Sequence, residues 1–146
     1  MRIVLSRKGF DTGSGGTASP IIEGRPISLP IPTRRRSTTT YDHLGLGEIV
    51  ERVTRGKIAR DHLCHEDPMF TRGQCLFGQC GAAQSHLRNM GVGVGDVFLF
   101  FGLFADGQSG ERHHRIFGYL RIQDVISPST GELGELDRPH PHTLGE

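Results

Sequence analysis

The sequence predicts an α+β fold, a small mixed or antiparallel sheet or a partly open β-barrel, with two or three short helices. Three observations carry that prediction. Runs rich in β-branched and aromatic residues recur at "RIVLS", "VFLFF" and "RIFGYLRI". A clear helical period runs from Gly81 to Gly91. Glycine takes 21 of 146 positions, apolar residues 35%, and tryptophan is absent, a composition that favours short elements joined by loops over a helical bundle. The length suits one core rather than two. Residues 1–126 therefore read as a single domain and 127–146 as a polar tail, either an exposed end or a truncated continuation.

Taken in order, "RIVLS" is a buried first strand cut off by "RKG". From Asp11 to Pro32 a long loop rich in Gly, Ser, Thr and Pro includes "PISLPIP", whose three prolines confine it to a sheet edge or an extended lid. "TRRRSTTT", Thr33–Thr40, is basic, has no apolar period and reads as the most flexible stretch. In "LGEIVERVTRG", Ile49, Val50 and Val53 share a helical face, Glu51 and Arg55 stand four apart as a pair, and Gly56 is the stop. "GAAQSHLRNMG" puts Ala83, Leu87 and Met90 on one face, expected to be core, and ends at Gly91. The turn signal Gly95-Asp96 introduces Val97–Phe101, an apolar run expected to be a central strand covered on both faces. After "ADGQSGERHH", the run "RIFGYLRIQDVI" is expected to fold back as an antiparallel hairpin. There is no internal repeat.

Residues 1–60 carry 11 cations and 5 anions, residues 61–146 carry 6 and 11, and the whole chain sums to +1. That balance excludes a uniformly basic nucleic-acid coat and leaves open two faces of opposite sign, or charges scattered over the surface. The N-terminal apolar run stops at Arg7 and Lys8 without the marks of a signal peptide, and no segment approaches the ~20 apolar residues of a membrane span. A soluble, cytoplasmic protein is expected. Three cysteines, an odd number, fit reduced thiols better than a disulfide scaffold.

Four segments offer chemistry. In "LSRKGFDTGSGG", Arg7, Lys8 and Asp11 beside four glycines could wrap an anion, or form an ordinary turn. In "DHLCHEDP", six of eight positions can carry a proton or bind a metal; a helical turn would pair Asp61 with His65 and His62 with Glu66, whereas a solvated charged turn is the plainer reading. Cys64, Cys75 and Cys80 are spaced too unevenly for a closed zinc site, and His65 with Asp67 supply only two ligands. "GQCGAAQSH" opens a helix whose first amides could receive an anion, with Gln84 and His86 displayed on its polar sides. In "ERHHR", at most one of His113 and His114 can face a common pocket, since strand neighbours point oppositely. Arg34, Arg35 and Arg36 form a generic electrostatic patch.

Taken together, "LSRKGFDTGSGGTASPI", "LPIP", "HEDP", "FGQCGAAQSHL", "GVGVGDVFLFFGLF" and "HRIFGYL" resemble the third of the nucleotide modification associated domain families, small proteins assigned to systems that alter bases in DNA. The resemblance covers residues 1–122 in order. By similarity the matching positions are Arg7, Lys8, Gly9, Phe10, Asp11, Ser19 and Pro20, then His65 and Asp67. Beyond them lie Gln79, Gln84, His86, Asp96 and the "FLFFG" strand. The cysteines stand outside the pattern. The "GD" turn, apolar strand, loop and "GYLRI" strand are also similar in pattern to PUA/ASCH-like barrels, a superfamily that includes readers of modified bases.

The resemblance implies a domain that recognises or modifies a nucleotide or nucleic-acid base, associated with DNA base modification systems. Arg7, Lys8, Gly9, Ser19, Gln79 and Gln84 are the expected nucleotide and phosphate contacts. Asp11, His65, Asp67 and His86 are the expected catalytic groups, with His65 and Asp67 as the acid/base pair. A non-catalytic modified-base or nucleic-acid binding module and a metal-dependent hydrolase are the alternatives. No metal ligands are assigned, no cofactor follows from the residues, and the expected partner is a nucleotide or nucleic acid, not a membrane.

Overall fold

In chain order the strands are β1 (Ile3–Arg7), β2 (Ser19–Ile22), β3 (Arg25–Pro26) and β4 (Ile31–Pro32), followed after helix α1 (Gly47–Val53) by β5 (Cys64–His65), β6 (Met69–Thr71) and β7 (Gln74–Leu76). Helix α2 (Gly81–Asn89) then leads into the two long strands β8 (Val97–Asp106) and β9 (Arg112–Arg121). Short 3₁₀ turns occupy Asp42–Leu44 and Pro141–Thr143. This computed structural model describes residues 1–71, 73–126 and 139–144. Among the described residues no helix is long and apolar enough to cross a membrane.

The expected hairpin is present: β9 runs antiparallel to β8 along nearly its whole length, with a bulge at Phe100/Phe101 that leaves Phe117 unpaired. The other edge of β8 is shared by two strands placed end to end. β1 pairs in parallel with Val97–Phe101, and β2 in parallel with Phe104–Asp106. Between them the chain leaves the edge, and the point of departure is set by backbone contact: the Lys8 N–H donates to the Phe101 carbonyl at 2.8 Å. A Cβ on Gly102 would stand 2.7 Å from the Lys8 carbonyl, so only glycine admits this crossing. The five-stranded sheet is mixed, and the described strands do not close into a barrel.

β8 is central in pairing but not covered equally on both faces. Phe98, Phe100 and Phe104 are 5%, 0% and 1% exposed, while Val97, Leu99, Phe101 and Leu103 alternate with them as half-buried residues. The second face is thus only partly covered, and the strand alternates instead of being doubly buried.

Two apolar cores result. Phe98, Phe100 and Ile122 form one with Phe77, Leu87 and Phe117 against them; Phe10, Leu29, Tyr41, Val50 and Cys64 form the other under α1 and its flanking turns. The helix ending at Val53 keeps Val50 on its inner face as expected, but Glu51 does not pair with Arg55. Arg55 lies at φ 53°, beyond the helix, and the carboxylate instead takes a forked pair from Arg60 at 2.9 and 3.2 Å. Helix α2 is more exposed than its period predicts. Leu87 packs on the sheet, whereas Ala83 is exposed and Met90 is 56% exposed, because a hollow of about 710 Å³ separates that face from β1. "TRRRSTTT" is also less free than expected: the Ser37 hydroxyl donates to the Cys64 carbonyl at 2.6 Å and ties the stretch to β5.

Candidate functional site

The segment Asp61–Pro68 is not helical, so the expected Asp61–His65 and His62–Glu66 pairs do not form. Cys64–His65 is extended and pairs with Ile31–Pro32. Past that strand the chain tightens, the Asp67 N–H donating to the His65 carbonyl at 3.1 Å, and His65 Nε2 comes to 3.8 Å from Asp67 Oδ2. His62 turns back on its own neighbour, Nδ1 lying 2.8 Å from the Leu63 carbonyl.

The remainder of this cluster comes from the far end of the chain. His140 Nε2 stands 3.2 Å from Asp67 Oδ1, and His142 Nε2 3.2 Å from Asp67 Oδ2. The Gly78 N–H also donates to Oδ1, at 3.0 Å. Side-chain exposure is 3% at Asp67 and 5% at His140, against 17% at His142 and 26% at His65, so the carboxylate is enclosed and two imidazoles look outward. The His142 N–H donates to His140 Nδ1 at 3.3 Å. That contact makes Nδ1 an acceptor, assigns the His140 proton to Nε2 and aims it at Oδ1. Burial alone would raise the Asp67 carboxyl, but the His140, His142 and His65 rings and the Gly78 amide outweigh it and hold the group well below the usual carboxylate range.

Opposite this cluster stands the loop that leaves the sheet after β1. Lys8 Nζ sits 4.5 Å from the centre of the Phe77 ring. Burial lowers its pKa, and the Asp67 charge partly restores it. Arg7 pairs with Asp11 at 3.2 Å, and Asp11 also accepts the N–H groups of Gly13 and Ser14, which shapes the turn. Gly15, at φ 85°, folds flat over Phe10, where a Cβ would strike the ring.

Between the two walls lies a cleft of about 740 Å³. Arg7, Lys8, Gly9 and Asp11 line it from the loop, and His65, Asp67 and Gln79 from the opposite side. Ser19, Gln84 and His86 do not line it. Ser19 is 2% exposed and its hydroxyl accepts the Leu29 N–H at 3.0 Å beneath the loop. Gln84 is exposed on α2, and His86 faces the separate hollow beside β1. Asp96, a further position of the matched pattern, is a turn anchor: its two oxygens accept the Arg2 and Gly93 N–H groups at 2.7 and 3.0 Å. Of the cysteines, Cys64 is buried, Cys80 is exposed, and Cys75 is pushed up to about 12, first by burial and then by Asp67. Among the described residues none of them joins a metal-capable cluster.

The residues that sequence reasoning passed over are His140, His142, Gly78 and Phe77. The tail was expected to contribute little packing, yet His140 is 4% exposed. A signal was present in "PHPH": two imidazoles at i and i+2 alternate with prolines that fix φ, and the chain there enters the Pro141–Thr143 turn with the two rings 5.7 Å apart. Residues 127–138, the start of the expected tail, lie outside the described residues.

The family model described as nucleotide modification associated domain 3 matches residues 2–146. No curated protein and no solved structure matches the chain.

Proposed function

We propose that this chain, which belongs to the nucleotide modification associated domain 3 family, binds a nucleotide or nucleic-acid base in the cleft between the loop at Gly9 and the Asp67 cluster, and presents its reacting end to that cluster. Membership associates the chain with nucleotide modification systems; the finer reading rests on the cleft. One observation carries it: a single hollow of about 740 Å³ has Arg7 and Lys8 on one wall and an imidazole–carboxylate cluster on the other. In this reading the phosphate meets Arg7 and Lys8, whose charges suit an anion. Phe70, 48% exposed within the cleft lining, offers a face on which a base can stack. His65 and Asp67 then stand where a proton would be moved.

The test is binding of deoxynucleoside monophosphates, plain and base-modified, followed by calorimetry. Replacing Arg7 and Lys8 together by Ala is expected to weaken binding at least about tenfold. His65→Ala is expected to remain folded and to lose turnover of a modified nucleotide. Affinity that the double variant leaves unchanged would place the ligand elsewhere. Binding without turnover, steeply weakened by salt, would identify a nucleic-acid binding module instead of an enzyme.

A further inference from the structure

The two oxygens of Asp67 have different surroundings. Oδ1 is committed to two donors, the Gly78 amide at 3.0 Å and His140 Nε2 at 3.2 Å, and His140 is itself fixed by the His142 backbone. Among the described residues, Oδ2 has the two outward imidazoles beside it, His142 Nε2 at 3.2 Å and His65 Nε2 at 3.8 Å. The His65 separation is too long for a hydrogen bond. One atom from each of His65, Asp67 and His142 falls within 4.8 Å of the others.

We infer that His65, Asp67 and His142 form a binding site for one divalent first-row transition ion, with His140 and Gly78 orienting the carboxylate. Three features carry this. The donor set, two neutral imidazoles and one carboxylate, suits zinc, cobalt or ferrous iron and is poor in the oxygen atoms that calcium or magnesium demands. The spacing is close to what an ion requires: donors about 2.1 Å from a common centre stand roughly 3–3.5 Å apart, so a small inward shift of His65 completes the set. Outer partners on Oδ1 repeat the arrangement by which metal-bound carboxylates are aimed, and they leave Oδ2 for the ion. Each imidazole needs only to move its proton from Nε2 to Nδ1 to present a lone pair. Because His65, Asp67 and His142 all line the cleft, an ion held there keeps open positions toward a ligand. The site shares its cleft with the nucleotide reading, and where both hold, the metal-bound water takes over the proton-moving role assigned to His65.

The experiment loads chelator-treated, full-length protein with Zn²⁺ or Co²⁺, measures bound metal after desalting and records the visible spectrum of the Co²⁺ form. The expected result is one ion per chain and a cobalt spectrum of nitrogen and oxygen ligation. His142→Ala and, as the more exposed alternative should that variant fail to fold, His65→Ala are each expected to lose at least about a hundredfold in affinity. His140→Gln keeps the stoichiometry and weakens affinity by about 10–100-fold, and Cys80→Ser changes neither. Failure of the folded wild type to retain either metal overturns the inference, as does retention unaltered in both His65→Ala and His142→Ala. Nucleotide binding by the metal-free protein is measured separately: nucleotide bound without any metal uptake overturns only the metal site, and metal bound without any nucleotide upholds it while removing the nucleotide reading.

Discussion

The two walls of the cleft are built on opposite principles. On one side Asp67 and His140 are almost fully enclosed, and the carboxylate is held by the Gly78 amide and the His140 and His142 rings. On the other, the Arg7 side chain is 50% exposed and its partner Asp11 22% exposed, with much of their interaction screened by water. The enclosed wall is therefore expected to be stiff and costly to disturb. The Arg7–Asp11 pair of the loop wall is open to solvent and, in the proposed reading, would be exchanged for a ligand's charge. A binding site profits from both: fixed groups where atoms must be placed accurately, and loosely held charge where an anion must enter and leave.

The comparison breaks first at Asp67. Removing its carboxylate strands buried donors on Gly78 and His140, so Asp67→Ala is expected to cost on the order of 3 kcal/mol in urea unfolding. A cost below about 1 kcal/mol would mean that the wall is not held by this group. Gly78→Ala comes next. Its Cβ would collide with the His142 imidazole, and overpacking of that kind costs about 1–3 kcal/mol; proteolysis near residues 139–144 should quicken in the same variant, and unchanged cleavage would show that His142 has room to step aside. Arg7→Ala, on the exposed wall, is expected to change stability by less than about 1 kcal/mol by the same urea assay while still weakening nucleotide binding.

Asp96 supplies a reference outside both walls. Backbone donors on Arg2 and Gly93 hold its carboxyl below the usual value. A depressed carboxylate contributes stability that is full above its unfolded pKa of about 4 and is lost as the pH falls toward the folded value. Wild type should thus lose more of its stability than Asp96→Asn between pH about 5 and about 3, followed by thermal melts. Parallel losses in the two proteins would show that the Asp96 bonds contribute nothing specific.

Legibility in the sequence followed the reach of the interactions. The β8–β9 hairpin is local, its strands are adjacent and its pattern is strong, and it formed as read. The cation-bearing loop was visible because its glycines, Arg7, Lys8 and Asp11 are contiguous. In "HEDP" the sequence places His65 and Asp67 close together but suggests a helical turn, whereas the pairing of Cys64–His65 with Ile31–Pro32 overrides any helical preference there. Helix α2 was read correctly as a helix and wrongly as a core face, because a period reports which side is apolar and not what lies against it. His140 and His142 were missed for a different reason. Their partner Asp67 is 73 positions from His140, and no spacing rule links residues so distant.

That separation has a consequence for the order in which the molecule comes into being. During synthesis the loop bearing Arg7 and Lys8 emerges first, then Asp67, and the imidazoles that enclose Asp67 only much later. A nascent chain interrupted between Asp67 and His140 would carry the Arg7–Lys8 loop and an Asp67 carboxylate still lacking two of its imidazole partners. The enclosure of Asp67 is thus the last part of the cleft to be assembled, long after the loop that faces it.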